Sequence, residues 1–177
     1  MGHEVVLTRE PGGSPGAEAI RRLLVEGEPD RWSAVTELLL FNAARRDHME
    51  RVIAPALARG AWVVSDRFAD STRVYQGATR DNLAAIVDAL HRLVIGLEPD
   101  ATVVVDVDPE RALGRGLARR TGEDRFESFG LPFQRRLRDG YLALARAHPE
   151  RVRVVDGDAA EDVVAGRIAG ALGLSGR

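Results

Sequence analysis

Four short apolar runs, each followed by a helical pattern, alternate along this 177-residue chain, and this alternation constrains the fold most. A helix between two strands returns the chain to the starting end of the sheet, so the joined strands pair in parallel. The sequence therefore predicts an α/β fold with a parallel sheet and helices on both faces. Residues 61–65 form a continuous apolar run, as expected for a strand that is buried on both faces, and residues 101–105 are expected to be buried too. The four predicted strands are residues 4–7, 61–65, 101–105 and 151–155.

Cap residues and apolar spacing mark the helices between these strands. Ser14 followed by Pro15 is an N-cap with proline at the first helical position, and Ser33 caps a second helix. Pro55 is expected to kink or restart that second helix, because proline has no backbone N–H to donate. Asp108 is expected to cap a helix that starts at Pro109. The remaining helices are predicted at residues 81–95, 131–147 and 159–172.

The composition predicts one globular domain over residues 1–177 and excludes several classes of protein. Apolar residues make up 45% and charged residues 29%, and the net charge of -2 does not favour binding to a nucleic acid polymer. Because the chain has no cysteine, disulfides and thiolate metal sites are excluded. No apolar run is long enough to cross a membrane, so the expected location is the cytoplasm.

All 25 basic residues are arginine, and this absence of lysine also excludes a motif. The glycine-rich phosphate loop of many nucleotide-binding proteins ends in Gly-Lys followed by Ser or Thr, and its lysine holds the donor phosphates. The chain as given therefore cannot contain that loop.

Polar residues follow two of the predicted strands. Thr8-Arg9-Glu10-Pro11-Gly12-Gly13 comes after the first, and Asp66-Arg67 comes directly after the second. Open parallel sheets bind ligands at the carboxyl ends of their strands, and the arginine fork suits a phosphate group. Taken singly, the first segment is also compatible with an ordinary strand-to-helix turn, and the second with a structural Asp–Arg pair.

Phe41 and Arg45 stand four residues apart on the second predicted helix, so their side chains share one face. This spacing fits a ligand site, but a core phenylalanine beside a solvated arginine is the commoner arrangement. Arg46, Asp47 and His48, which follow, are interpreted as solvated or structural, and none of the four histidines has the spacing of a metal or catalytic site.

Together with Ser71-Thr72 and Tyr75-Gln76-Gly77, these segments resemble the nucleotide-acceptor half of bacterial thymidylate kinase. The resemblance runs from that family's second strand to its last helix and implies a P-loop-kinase-like fold that lacks the first, central strand and the first helix. It places an acceptor-binding part at residues 8–80 and a lid at about 115–127.

The resemblance implies conversion of dTMP to dTDP with ATP and Mg²⁺, by direct in-line transfer. Arg67 would contact the acceptor phosphate, with Asp66 orienting it or holding the Mg²⁺ shell. Phe41 would stack on thymine, Arg45 would grip the phosphate, and Tyr75 would disfavour a 2′-hydroxyl. The implied substrate residues are Arg9, Glu10, Phe41, Arg45, Arg67, Ser71, Thr72, Tyr75 and Gln76, and the implied metal residues are Asp66 and Glu10.

An arginine-rich stretch supplies the lid that the resemblance implies. Arg115 and Arg119 would contact ATP, and Arg119, Arg120 and Arg125 would join Asp66 and Arg67 in catalysis, where charge develops on the migrating phosphoryl group. A run of arginines is more often a solvated surface, and this alternative stays open for each of them.

In the family, the strand missing here lies between those predicted at 61–65 and 101–105. Without it, both strands have open edges, whose buried unpaired backbone groups cost about 1–3 kcal/mol each, against a typical stability of about 5–15 kcal/mol. We therefore expect the functional protein to start upstream of Met1, and residues 1–177 to show little turnover. Two alternatives stay open: a non-catalytic module that binds dTMP or only dimerises, and a related deoxynucleoside kinase that phosphorylates thymidine in preference to dTMP. The family resemblance also implies a homodimer through helices such as 33–59 and 81–95.

Overall fold

The computed structural model describes residues 2–28, 30–78, 83–118 and 129–174. The described residues form two compact units, the first within residues 2–97 and the second within residues 98–118 and 129–174. The described part of each unit holds one pair of parallel strands together with helices. The predicted α/β class with parallel strands is confirmed, whereas the single domain over residues 1–177 stays a prediction.

The strand pair of the first unit is formed by β1 (Val5–Arg9) and β2 (Trp62–Asp66). Val5 lies opposite Trp62 and Arg9 lies opposite Asp66. One residue further on, the backbone N–H of Glu10 donates to the carbonyl oxygen of Asp66 at 2.9 Å. The two segments that follow these strands therefore leave the sheet side by side, and this pairing builds the candidate site.

The first two helices of the first unit begin where their caps predict. Ser14 accepts a hydrogen bond from the backbone of Ala17, with Pro15 at the first helical position, and Ser33 accepts from Thr36. The break expected near Pro55 is present as a π-helical segment ahead of α3. The helices are α1 (Pro15–Val25), α2 (Ala34–His48), α3 (Ala54–Ala58), α4 (Ala69–Thr72) and α5 (Ala84–Leu90), with π-helical segments at Met49–Ile53, Arg73–Ala78 and His91–Ile95.

Helix α2 holds the first unit together. It packs against α1 along one side, and its buried Leu38 contacts Leu83 and Val87 at α5. The following turns of α2 bury Ala44, Arg45 and His48. A buried arginine and a buried histidine at the end of one helix need polar partners, and the ends of the two strands supply them.

The second unit repeats the parallel strand pair with different helices. Thr102 lies opposite Val152 and Asp106 opposite Asp156. Asp108 caps the next helix, as expected, because its Oδ1 accepts the backbone N–H groups of Glu110 and Arg111 at 3.0 and 3.2 Å. The elements are β3 (Thr102–Asp106), α6 (Pro109–Ala118), α7 (Gly130–Ala147), β4 (Val152–Asp156) and α8 (Glu161–Ala171).

The expected burial of β2 on both faces is wrong. Alternate side chains of β1 and β2 are exposed, with Leu7 at 77%, Val64 at 52% and Trp62 at 48%. A continuous apolar run predicts a strand, but only the elements packed around it decide how many faces are covered. Among the described strands, β2 pairs with β1 alone and β3 with β4 alone, so the open edges predicted for both are present. Over the described residues, no helix has the length and apolar character needed to span a bilayer.

Candidate functional site

A buried ion pair joins the end of β1 to α2. Arg45 donates from Nε to Oε2 of Glu10 at 2.7 Å, and the exposed fractions of the two side chains are only 4% and 3%. Burying two charges is costly unless they are paired and hydrogen-bonded. This pair therefore depends on its further contacts, which come from three segments of the first unit: the end of β1, α2, and residues 68–72.

Glu10 and Thr8 also bind His48, whose side chain is fully buried. Nδ1 of His48 lies 3.0 Å from Oε1 of Glu10, and Nε2 lies 2.7 Å from the hydroxyl of Thr8. Both oxygens of Glu10 are therefore occupied by protein groups, one by Arg45 and one by His48.

Thr72 and Phe68 complete the environment of Arg45. Nη2 of Arg45 donates to the Thr72 hydroxyl at 2.9 Å, and the guanidinium carbon lies 5.3 Å from the centre of the Phe68 ring. A cation over an aromatic face is attracted by the ring quadrupole. Nη1 of Arg45 forms no hydrogen bond with the described residues, so this guanidinium keeps donors that a ligand can use.

Arg67 has a left-handed backbone conformation, with a φ of 70°. For a residue other than glycine, this conformation costs about 1–2 kcal/mol, and such outliers gather at functional sites. The hydroxyl of Ser65 donates to the Arg67 carbonyl oxygen at 2.7 Å, and the guanidinium carbon of Arg67 lies 5.0 Å from the centre of the Tyr75 ring. The arginine is exposed, at the carboxyl end of β2.

Gly13 lets the segment after β1 pack closely against its neighbours. Gly13 has a φ of 87°, and a Cβ there would overlap Nε2 of His48 and the Thr8 hydroxyl. The backbone N–H of Gly13 donates to Glu18 at 3.0 Å, and Arg9 pairs with the same carboxylate at 3.2 Å. The Gly13 amide, and then the charge of Arg9, lower the pKa of Glu18. Arg9, which the family resemblance implies as a substrate residue, is exposed and pairs with Glu18, and its contact with substrate stays a prediction.

A second carboxylate ties α1 to α2. The hydroxyl of Ser14 donates to Asp47 at 2.6 Å, and Arg51 pairs with Asp47 at 2.7 Å. The Ser14 hydroxyl, followed by Arg51, lowers the pKa of Asp47. The structural interpretation of Asp47 from the sequence agrees with this contact.

Gln76 and Glu37 form another buried contact. The amide nitrogen of Gln76 donates to Oε1 of Glu37 at 2.9 Å, and both side chains are fully buried. Because a carboxylate only accepts, the amide nitrogen faces Glu37 and the carbonyl oxygen points elsewhere. That oxygen is buried and has no hydrogen-bond partner among the described residues.

The structure brings some of the predicted residues together and leaves others apart. Glu10, Arg45 and Thr72 form one network, and Arg67 contacts Tyr75, whereas Gln76 binds Glu37. Phe41 and Ser71 are half-buried, and Asp66 is exposed. Arg115 is exposed on α6 of the second unit, and Arg119, Arg120 and Arg125 lie outside the described residues.

Sequence reasoning missed Thr8, His48, Phe68 and Glu37 as members of these networks. His48 follows Arg45 by three residues and therefore shares its helical face. Phe68 directly follows the Asp66-Arg67 pair. These signals are present in the sequence, but nothing local indicates that a histidine is buried against a particular carboxylate.

The carboxylates differ in their fitness for a metal ion. Asp66 forms no hydrogen bond or ion pair through its side chain with the described residues, so its oxygens are available to Mg²⁺, which prefers oxygen ligands and is usually held by one or two carboxylates plus phosphate. Glu10 is engaged at both oxygens and fits this role only if it releases a partner. Among the described residues, no group of three or more His, Asp or Glu side chains could hold a metal ion by itself.

Comparison with known proteins gives a consistent result. The thymidylate kinase family model matches residues 1–168. A thymidylate kinase of Dinoroseobacter shibae is 70% identical over 164 residues, which are 93% of this chain and 79% of that protein. A thymidylate kinase of a Jannaschia species is 65% identical over the same shares of the two chains.

A solved structure extends the comparison to the fold. The crystal structure of thymidylate kinase from Ehrlichia chaffeensis superposes with a TM-score of 0.68 at 36% sequence identity. The similarity covers 86% of this chain and 74% of the other. The family model, the close relatives and the shared fold agree, and the chain belongs to the thymidylate kinase family.

Proposed function

We propose that this chain binds dTMP at the carboxyl ends of β1 and β2 and acts as a thymidylate kinase, converting dTMP to dTDP with ATP and Mg²⁺. The observation that carries the proposal is the buried Glu10–Arg45–Thr72 network beside the exposed Arg67. It supplies fixed N–H and O–H donors next to a solvent-facing cation, which is what a nucleoside monophosphate requires.

Arg67 is the proposed phosphate ligand. It is exposed, follows β2 directly, and can offer two parallel N–H donors to two phosphate oxygens. Its left-handed backbone supports this role, because the chain accepts conformational strain at the residue. The ring of Tyr75 lies against its guanidinium group and limits the directions in which the arginine can point.

Arg45 suits an uncharged oxygen of the substrate better than its phosphate. Glu10 already offsets the charge of Arg45, and the pair is almost fully buried. Phe41 lies one helical turn earlier on the same face, so a base stacked on Phe41 would bring a carbonyl oxygen near Arg45. We therefore propose that Phe41, Arg45 and the unpartnered carbonyl of Gln76 contact thymine, with Ser71 and Thr72 nearby. The sequence-based expectation had assigned Arg45 to the phosphate.

The chemical step is transfer of the terminal phosphoryl group of ATP to a phosphate oxygen of dTMP. When bound, Mg²⁺ would neutralise charge on the phosphate oxygens, with Asp66 as its proposed ligand in the chain. Arg115, Arg119, Arg120 and Arg125 are the proposed contacts to the donor phosphates. Because the chain as given has no lysine to hold those phosphates, we expect residues 1–177 to turn over slowly.

Calorimetric titration of dTMP and of thymidine tests the assignment of Arg67. Loss of a hydrogen-bonded charge costs about 1.5–3 kcal/mol, so Arg67→Gln should weaken dTMP binding roughly tenfold or more and leave thymidine binding unchanged. Arg59→Gln is the matched control, because Arg59 is an exposed arginine of the same unit that pairs with Glu4. Equal binding of dTMP to Arg67→Gln and wild type would contradict the assignment.

A second candidate function is a non-catalytic module that binds dTMP without transferring phosphate, favoured by the absence of lysine. Formation of ADP that depends on dTMP distinguishes the two functions. A rate well above background identifies the kinase, whereas dTMP binding with no ADP formation identifies the module.

We also propose a homodimer. Helix α2 and the helical stretch from α5 through residue 95 carry large exposed apolar side chains, and Leu93 is 81% exposed. Leu93→Arg should give a monomer by light scattering, while Val163→Arg, an exposed position on α8, serves as the control. A monomeric wild type would exclude the dimer. On these two helical stretches, the large exposed apolar residues are Val35, Leu39, Ile86 and Leu93.

A further inference from the structure

We infer that His48 is a positioning residue for the nucleotide site: its imidazole holds the Glu10 carboxylate, which in turn orients Arg45. The inference rests on the proposed dTMP site and deepens it. It assigns a role to a fully buried side chain whose hydrogen bonds go to Glu10 and Thr8.

The hydrogen-bonding roles follow from the chemistry of the two partners. A carboxylate has only acceptors, so Nδ1 of His48 must carry the proton and donate to Glu10. Nε2 lies 2.7 Å from the Thr8 hydroxyl, a group that can either donate to a ring nitrogen or accept from it. Each nitrogen of the imidazole thus has one partner, and the bond from Nδ1 to Glu10 has a defined direction.

This arrangement leaves Glu10 little freedom to rotate. One oxygen accepts from His48 and the other from Arg45, so turning the carboxylate breaks both bonds. Gly13 packs so closely on the ring that even a methyl group there would overlap Nε2. The imidazole is therefore held by the segment after β1 and cannot follow Glu10 if that side chain turns.

The consequence for the site concerns Arg45. Its guanidinium plane is set by Glu10 at Nε and by Thr72 at Nη2, and these two bonds decide where its remaining N–H groups point. If His48 stops donating, Glu10 loses one of its two constraints, and the direction of Arg45 becomes less defined. Binding of dTMP must then order the Arg45 side chain, whereas in wild type this side chain is ordered before the ligand binds.

Two substitutions separate this role from simple core packing. His48→Asn keeps an amide donor near the position of Nδ1 and loses the contact with Thr8. His48→Gln keeps a polar group near the position of Nε2 and loses the donor to Glu10. We expect His48→Gln to raise the Kd for dTMP about tenfold, the usual effect of losing a bond to a charged group, and His48→Asn to stay within about threefold of wild type.

A readout without ligand makes the test independent of the proposed function. The Arg45 Nε–H proton, hydrogen-bonded to a buried carboxylate, should exchange slowly in NMR spectra of wild type and His48→Asn and rapidly in His48→Gln. Nitrogen spectra of the wild-type ring should show the proton on Nδ1. His148→Gln, at a half-exposed histidine of the second unit, is the control and should change neither measurement.

The outcomes are distinct. Equal effects of the Asn and Gln variants, or an Nδ1 that carries no proton, would overturn the inference and leave His48 as packing only. If wild type does not bind dTMP, the proposed function fails, but the exchange of Arg45 Nε–H still decides the role of His48. Should either variant unfold, Thr8→Val, which keeps the imidazole, must leave Arg45 Nε–H protected; rapid exchange there would also contradict the inference.

Discussion

The two units end their parallel strands with the same chemistry and place it in different environments. In the first unit, Glu10 follows β1 and pairs with Arg45, and the two side chains are 3% and 4% exposed. In the second unit, Asp106 ends β3 and pairs with Arg138 at the same 2.7 Å, but these side chains are 21% and 42% exposed. The two ion pairs have the same charges and the same N–O distance, and they differ in how deeply their side chains are buried.

The difference shows that an ion pair at the end of a strand is not by itself a ligand site. The helix that packs over the pair and buries it makes the site. Helix α2 packs against α1 and α5, and covers Glu10 with Arg45 and His48 from its last turns. Asp106 receives its arginine from the water-exposed side of α7. Electrostatic contacts strengthen as water is excluded, so of these two ion pairs only Glu10–Arg45 belongs to a buried polar cluster that can be set in advance for a ligand.

Replacing the two carboxylates with amides should break this comparison most clearly. Glu10→Gln leaves the buried charge of Arg45 without a counterion and should lower the free energy of unfolding by about 3–5 kcal/mol. Asp106→Asn removes a solvent-exposed pair and should cost about 0–1 kcal/mol. Urea denaturation of both variants measures the difference, and similar losses would refute the distinction.

The close packing of Gly13 predicts the next largest effect. Gly13→Ala adds a methyl group against His48 and Thr8 at a positive φ, so overpacking should cost about 1–3 kcal/mol in addition to about 1–2 kcal/mol of backbone strain. Gly60→Ala is the matched control, because Gly60 has a φ of 79° but open space around the added carbon. The two variants would lose the same free energy of unfolding if His48 did not pack on this segment.

Threonine hydroxyls that accept from arginine sharpen the comparison. Thr72→Val removes the acceptor of Nη2 of Arg45 in a buried site and should cost about 1–3 kcal/mol. Thr102→Val removes a longer bond from Arg151, at 3.4 Å, and we expect a loss below about 0.5 kcal/mol. Thermal unfolding of both variants provides the measurement, and a larger loss for Thr102→Val would reverse the order.

The smallest effect concerns acid stability. The Gly13 amide lowers the pKa of Glu18, so this carboxylate stabilises the fold above its unfolded pKa of about 4.5, and the stabilisation is lost as pH falls through the lower folded value. Glu18→Gln should therefore lose less stability than wild type as pH falls from about 5 to about 3. Unfolding curves at several pH values check this, and identical slopes would contradict it.

Much of the fold follows from local patterns. Ser14, Ser33 and Asp108 cap helices as predicted, because a cap depends on residues within one turn of itself. The four strands lie within a residue or two of the predicted ones. The coverage of β2 was not predictable from its sequence, since Trp62 and Val64 look the same whether a helix lies over them or not.

Like the fold, the candidate site has features that local sequence patterns predict and features that they do not. The sequence by itself determined its components: the carboxyl-end segments after β1 and β2, the Phe41–Arg45 spacing, and the absence of lysine. Only the tertiary structure decided that Glu10, Arg45 and Thr72 share one network and that His48 holds it. The physical reason is that hydrogen bonds between residues 27 to 38 positions apart depend on which surfaces pack together, and no local pattern encodes that packing.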